Sequence, residues 1–238
     1  MNKEQVIEIT HYSDKLFSFK TTRNRSFRFK NGEFCMLGLD AEPRPILRAY
    51  SICSTNYDDH LEFLSIKVPN GPLTSRLQHL KENDEVIVNP KCTGSLVTDY
   101  VFEKKNLVLL STGTGIAPFM SIVRDIETYN KFKNVYLFHT VRTVNELAYL
   151  NTLQLLQNAF RFRYIPTVTQ EPYIREGRFW QYIEEFLPGG LRKDRDCVMV
   201  CGSPDMNKEC REHFTNLEWQ EGNTGELGDF MLERAFAG

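Results

Sequence analysis

Thr112-Gly113-Thr114-Gly115 holds the first chemistry legible in the chain. Four apolar residues, Leu107 to Leu110, precede it in the pattern of a buried parallel strand. Ala117-Pro118 follows, and proline suits the first turn of a helix, where its missing N–H is not needed. Phe119, Ile122, Val123 and Ile126 then recur at helical spacing. A strand, a glycine turn and a helix start together aim free N–H groups and the positive end of a dipole at one point, which suits a phosphate. The third glycine of the dinucleotide fingerprint and the Lys-Ser/Thr of a P-loop are missing. The stretch alone is therefore also compatible with a tight turn that holds nothing.

Arg48-Ala49-Tyr50-Ser51-Ile52-Cys53 is the second informative stretch. In a strand, Arg48, Tyr50 and Ile52 share one face and Ala49, Ser51 and Cys53 the other. An arginine, an aromatic ring and a hydroxyl within four residues could meet a phosphate, a flat ring and a ring nitrogen. A strand with one exposed arginine and one core tyrosine is the plainer reading of this stretch alone. Ile66-Lys67-Val68 then runs into Gly71-Pro72-Leu73-Thr74-Ser75, a second glycine turn opening a helix over Leu73 to Lys81 and a second potential anion cradle.

The elements that must position these groups fall into two halves. Val6 to Thr10, Leu16 to Phe19, Phe34 to Leu39, Arg48 to Cys53, Leu61 to Val68 and Glu85 to Val88 read as short strands with turn chemistry between them, such as Asn31-Gly32. Such spacing predicts an antiparallel barrel or sandwich. From Leu107 strands alternate with helices. Val135 to Thr140, Phe162 to Thr169, Cys197 to Gly202 and a last strand from Asp229 are joined by three helices. The first is capped by Asn145 and runs to Asn158, the second is Phe179 to Phe186, and the third is Pro204 to Leu217 with Ser203 as its cap. This rhythm predicts a parallel sheet with crossover helices. The domains are placed at 1–99 and 100–238, with Asp99 to Lys105 as connector.

Composition narrows the function. At 238 residues, 41% hydrophobic and 25% charged, the chain has material for two ordinary cores. A net charge of −2 argues against a nucleic-acid binder. No apolar run reaches the ~18 residues that span a bilayer, and the polar, alternating N-terminus resembles neither signal peptide nor anchor. A cytoplasmic monomer that binds no membrane is expected. Six cysteines show no C-x-x-C and five histidines no ligand spacing, so no metal or iron–sulfur site is expected.

Taken in order, R-x-Y-S-I at 48–52, G-P-L-T-S at 71–75, G-T-G-I-A-P at 113–118, C-G-S-P at 201–204 and the tail E-R-A-F-A-G at 233–238 span nearly the whole chain. In this set the sequence resembles the ferredoxin–NADP⁺ reductase family, and within it the bacterial ferredoxin/flavodoxin reductases. The resemblance implies an FAD-binding antiparallel β-barrel followed by a Rossmann-like, parallel-sheet NADP(H)-binding α/β domain, whose C-terminal tail returns to the FAD.

It also implies roles. Arg48 would pair with the FAD pyrophosphate, a bidentate contact that lysine copies poorly. Ala49, Tyr50 and Ser51 would meet the flavin, with the Tyr50 ring on one face and the Ser51 hydroxyl near N5. Ile66, Lys67 and Val68 would line its edge. Gly71, Pro72, Leu73, Thr74 and Ser75 would hold the diphosphate, and Thr93-Gly94 would close the FAD half. Gly113, Thr114, Gly115 and Ile116 would cradle the NADP pyrophosphate, while Cys201, Gly202 and Ser203 border the nicotinamide. Ser51, Cys201 and Glu233 form the catalytic set. The other readings are a buried hydrophobe at Cys201 and a solvated glutamate at Glu233. Ala235 would stand where plant-type members carry a stacking tyrosine, and Phe236 would stack on the FAD adenine.

The resemblance places cations for the 2′-phosphate at Arg142 and Arg178, which could equally be solvated surface arginines. Its third arginine is Gln170 here, in Thr167-Val168-Thr169-Gln170-Glu171, with Arg175 nearby as a substitute. NADPH is expected to remain preferred over NADH by a reduced margin. The implied enzyme passes hydride between NADP(H) and flavin, and single electrons to or from ferredoxin or flavodoxin. Lys67, Arg76, Lys91 and Arg234 are the basic candidates for docking such acidic carriers. The rival readings are an NAD(P)H-dependent flavin or quinone reductase, the reductase component of an oxygenase, and a non-enzymatic nucleotide sensor.

Overall fold

The computed structural model describes residues 1–68 and 70–235. Its first half contains β1 (Asn2–His11), β2 (Leu16–Thr22), β3 (Phe34–Leu39), β4 (Ile46–Ser51), β5 (His60–Ile66), a single helical turn α1 (Thr74–Leu77) and β6 (Glu85–Thr93). The strands pair antiparallel in the order β4-β3-β6-β1-β2-β5, and the Ile52–Phe63 bridge joins the two edges into a barrel. Phe17, Phe19, Phe63 and Leu37 fill its interior, each fully buried. Side chains of this size contribute roughly 1.5–3 kcal/mol each on burial, which sets the register of the strands that carry them.

The second half contains β7 (Asn106–Thr112), α2 (Ala117–Arg124), α3 (Ile126–Lys131), β8 (Asn134–Val141), α4 (Leu150–Ala159), β9 (Phe162–Val168), α5 (Ile183–Phe186), β10 (Asp196–Gly202), α6 (Pro204–Asn216) and β11 (Phe230–Arg234). Its parallel sheet runs β11-β10-β7-β8-β9. Both faces are covered, which explains the unbroken apolar runs. Leu107, Leu109, Cys197, Met199 and Cys201 pack with Phe119 and Ile122 of α2, whereas Val108, Leu110, Val198 and Val200 pack with Cys210 and Phe214 of α6.

The two halves share a core. Cys53, Leu64 and Leu96 from the barrel side pack with Ile116 and Met120. Arg124 crosses the boundary, donating to Glu62 at 2.5 Å and to the Cys53 carbonyl at 3.0 Å. Gly32 approaches so closely that a Cβ would stand 1.8 Å from the Leu96 carbonyl, and its N–H donates to Ser121 Oγ of α2.

Three helical expectations are corrected. Leu73 to Lys81 shrinks to the four residues of α1, because the Asp84 carboxylate captures the Lys81 N–H and Asn83 turns at φ +73° into β6. The helix read through Ile126 ends at Arg124. Asp125 is extended and caps α3 by accepting from the Glu127 N–H, leaving Ile126 54% exposed. Asn145 does not cap α4. It lies in a 3₁₀ turn, Val144–Glu146, and the helix begins after Tyr149, which takes φ +62° to bury its ring. Ser203 does cap α6, accepting from the Met206 N–H at 3.2 Å.

Candidate active site

The carboxyl ends of parallel strands are where an open sheet leaves a crevice, and the turns after β7 and β10 meet there. Thr112 Oγ1 accepts from the Ser203 N–H at 3.0 Å. A Cβ on Gly115 would stand 2.1 Å from the Cys201 carbonyl, and one on Gly202 would stand 2.3 Å from Thr112 Oγ1. Two glycines are thus required for the two turns to touch. Gly113, at φ +54°, has open space where a Cβ would be. The segment 113–116 is a 3₁₀ turn leading directly into α2.

Opposite these turns stands β4. Ala49, Tyr50 and Ser51 share a narrow cleft with Leu64, Thr114, Ala117, Cys201 and Ala235. The motifs around residues 48–52, 113–118 and 201–204 and the tail therefore converge across the boundary between the halves. The Tyr50 ring is buried edge-on against Phe63, and its hydroxyl bonds Ser65 Oγ at 3.1 Å. Arg48 is exposed, donates to the carbonyl of the preceding Leu47, and forms no ion pair among the described residues. A cation without a competing carboxylate fits a pyrophosphate.

The tail enters the cleft as part of the sheet. Cys201 pairs in register with Glu233, and the Ala235 N–H donates to the Gly202 carbonyl at 3.0 Å. Glu233 Oε2 accepts from the Ser95 N–H at 3.0 Å, while Oε1 is buried with no partner. Burial lifts this carboxyl to about 7 despite the Ser95 bonds. Burial, and then Glu233, hold the Cys201 thiol well above its ordinary range, so the thiol is neutral. The buried, half-bonded carboxyl is the form of Glu233 present, rather than a solvated one. Phe236 lies outside the described residues.

The second turn is less finished. Ser75 Oγ donates to the Gly71 carbonyl at 2.6 Å and Thr74 Oγ1 to the Val68 carbonyl at 3.4 Å, so both hydroxyls serve the turn itself. Leu73 is fully buried and Pro72 exposed. Ile66, Lys67 and Val68 are half-buried, with Lys67 Nζ over the Phe17 ring at 5.8 Å. Thr93 is exposed at the end of β6, and Gly94 packs beside Glu233. Arg76, Lys91 and Arg234 are exposed.

Beyond β8 and β9, three segments come together. The Gln170 N–H donates to the Arg142 carbonyl at 2.9 Å, and the Phe179 N–H to Thr140 Oγ1 at 3.1 Å, bringing the exposed Arg178 to the same edge. Arg178 pairs with Glu209 at 2.6 Å. Arg175, the candidate substitute for Gln170, pairs with Glu185 at 2.9 Å and stacks 4.9 Å from the Phe186 ring. Sequence reasoning missed Ser95, Glu209 and the buried His139. Glu209 and Ser95 meet partners 31 and 138 residues away, with no local signal. His139 did leave one, as an imidazole inside an apolar strand.

Comparison with known proteins matches residues 4–94 to the oxidoreductase FAD-binding domain and 109–212 to the oxidoreductase NAD-binding domain. A ferredoxin–NADP reductase of Azotobacter vinelandii is 48% identical, covering 99% of this chain and 98% of its own. A flavodoxin/ferredoxin–NADP reductase of Rhodobacter capsulatus is 41% identical over 99% and 93%. The crystal structure of a ferredoxin NADP⁺ reductase from Neisseria gonorrhoeae, with bound FAD and NADP, superposes with a TM-score of 0.91 at 30% identity, covering 99% and 98% of the two chains.

Proposed function

The chain belongs to the ferredoxin–NADP reductase family, and from that premise we propose how its own residues divide the work. It is an FAD-dependent oxidoreductase acting between NADP(H) and a ferredoxin-type electron carrier. Bound FAD would supply the hydride and single-electron chemistry. No side chain has to act as a nucleophile; the protein's contribution is placement and charge.

In this reading 1–99 is the flavin domain and 100–238 the dinucleotide domain. Arg48 and the 71–75 turn would hold the FAD pyrophosphate. Tyr50 supports one face of the ring, and Ser51 donates toward N5. Ile66, Lys67, Val68 and Thr93 border the flavin, and Ala235 leaves the opposite face open to nicotinamide. Thr114, Gly115, Gly202 and Ser203 hold the dinucleotide, and Arg142 and Arg178 face its 2′-phosphate. Cys201, as a neutral thiol, packs beside the reacting carbon. Glu233, in register beside Cys201, holds a proton near neutral pH.

The observation that carries this reading is the convergence of Tyr50, Ser51, Thr114, Cys201 and Ala235 on one cleft between the two sheets. Anaerobic mixing of the FAD-loaded protein with NADPH, followed by ferredoxin or flavodoxin, tests it. Bleaching of the flavin absorbance and its return on adding carrier are expected; a flavin that NADPH does not bleach overturns the reading. Faster return with free FMN than with either carrier would favour a flavin reductase. A monomer in the cytoplasm is proposed, checked by light scattering and cell fractionation. No helix among the described residues is long and apolar enough to cross a membrane.

A further inference from the structure

We propose that His139 is a positioning residue for the dinucleotide turn: its Nε2–H holds the Gly113 carbonyl inward, and so turns the next N–H outward to the pyrophosphate. The proposal rests on reading 113–116 as the pyrophosphate cradle.

His139 lies on β8 directly beside Ser111 of β7 and is fully buried. Its Nε2 stands 2.8 Å from the Gly113 carbonyl oxygen and its Nδ1 stands 3.0 Å from the Tyr164 hydroxyl of β9. A carbonyl only accepts, so Nε2 carries the proton and Nδ1 accepts from the phenol. A relay of two hydrogen bonds therefore runs from β9 across β8 to the turn after β7. Burial pushes the imidazole down to about 4, so near neutral pH it is uncharged and its tautomer is set.

What this anchor does follows from peptide geometry. In a trans peptide the C=O and the following N–H point in opposite directions. With the Gly113 carbonyl turned toward a buried ring, the Thr114 N–H of the same peptide points away from the core, and Thr114 lines the cleft. Gly115 is held by its contact with Cys201, but Gly113 has open space where a side chain would be. A buried side chain is thus tied to the outer end of a turn that glycine makes pliable.

The test uses FAD-loaded protein and a calorimetric Kd for NADP⁺. His139→Phe is expected to weaken NADP⁺ about tenfold, the loss of one buried hydrogen bond. The limiting rate of flavin reduction at saturating NADPH should stay within about twofold, because FAD and ring placement are untouched. His139→Gln, whose amide N–H can reach the same carbonyl, should restore most of the affinity. Tyr164→Phe, which frees the ring without removing it, should weaken binding about threefold. An unchanged Kd in His139→Phe, or a Gln variant as weak as Phe, overturns the proposal. Should His139→Phe not fold, Tyr164→Phe decides, and an unchanged Kd there overturns it. Gly115→Ala, whose methyl would stand 2.1 Å from the Cys201 carbonyl and so move the turn, separates the underlying reading: no effect on NADP⁺ binding sinks the cradle itself. A large effect there with none in His139→Phe sinks only the role of His139.

Discussion

At the end of the parallel sheet the turn after β7 is held by backbone, by contact and by one buried ring: Gly115 against the Cys201 carbonyl, Gly202 against Thr112, the Ser203 N–H on Thr112 Oγ1, and His139 Nε2 on the Gly113 carbonyl. On the barrel the corresponding work falls to side chains. Arg48 is exposed and, among the described residues, donates to the adjacent Leu47 carbonyl without an ion pair, and the hydroxyls of Thr74 and Ser75 are turned into their own turn. The first turn is therefore fixed by the protein's own contacts, whereas in the proposed reading the second would be completed by its ligand. The difference teaches where damage should be abrupt and where it should be graded.

The largest effect is expected from Gly115→Ala. The added methyl would stand 2.1 Å from the Cys201 carbonyl, and backbone cannot yield as a flexible side chain would. One of the two turns must shift by about an ångström, and a displacement of that size costs about a hundredfold when ring placement is the catalysis. Stopped-flow reduction by NADPH should slow by about that factor while FAD stays bound. A variant within a few-fold of the parent would break the comparison, since it would mean the backbone-built turn is as tolerant as the other.

Arg48→Ala should act by degrees. Hydrogen bonds to a charged group contribute about 1.5–3 kcal/mol, so FAD should bind about ten- to a hundredfold more weakly, with NADP⁺ affinity unchanged. Arg48→Lys should recover only part of this, because an ammonium cannot match the fork of a pyrophosphate contact. Equilibrium flavin fluorescence during titration with FAD measures both.

Glu233 joins the two regions, since the Ser95 N–H that it accepts belongs to the barrel side and its strand to the parallel sheet. Its carboxyl is raised from 4.5 to about 7. The folded protein therefore holds a proton that the unfolded chain releases, and this contribution to stability is complete below 4.5. It is lost as pH rises through about 7. Glu233→Gln should flatten that part of the thermal-midpoint profile between pH 5 and 8 and remove an inflection near 7 from the rate of carrier reduction. An inflection that survives in the variant belongs to another group.

How much of this was legible in the sequence follows the same division. Apolar runs such as Leu107 to Leu110 are continuous because both faces of the sheet are covered, so the alternation of strand and helix could be read directly. The glycine turns announced themselves because close approach leaves no choice of residue. The bounds of α1, α2 and α4 were not legible, because Asp84 and Asp125 set two of them by local side-chain bonds to backbone N–H groups and burial of Tyr149 sets the third, none of which helical spacing records. Glu209 beside Arg178 was invisible for the same reason. Placing Arg175 near Gln170 in sequence gave no hint that Glu185 and Phe186 would claim it.

The edge proposed to meet the 2′-phosphate is the informative exception, a cluster of side chains on the backbone-built half. Arg142 and Gln170 share a backbone hydrogen bond, and Arg178 is held by Glu209, with both partners of that pair substantially exposed. Adding a cation by Gln170→Arg should raise the ratio of kcat/KM for NADPH over NADH about tenfold, one charged contact to a phosphate. Glu209→Gln should do less. An exposed pair contributes about 0–1 kcal/mol, so freeing Arg178 gains at most about fivefold, and added salt should shrink that gain. The parent should still favour NADPH, since Arg142 and Arg178 remain. Equal efficiency with both nucleotides in the parent would remove these two arginines from the site. A larger gain from Glu209→Gln than from Gln170→Arg would mean that the carboxylate, not the missing cation, sets the margin.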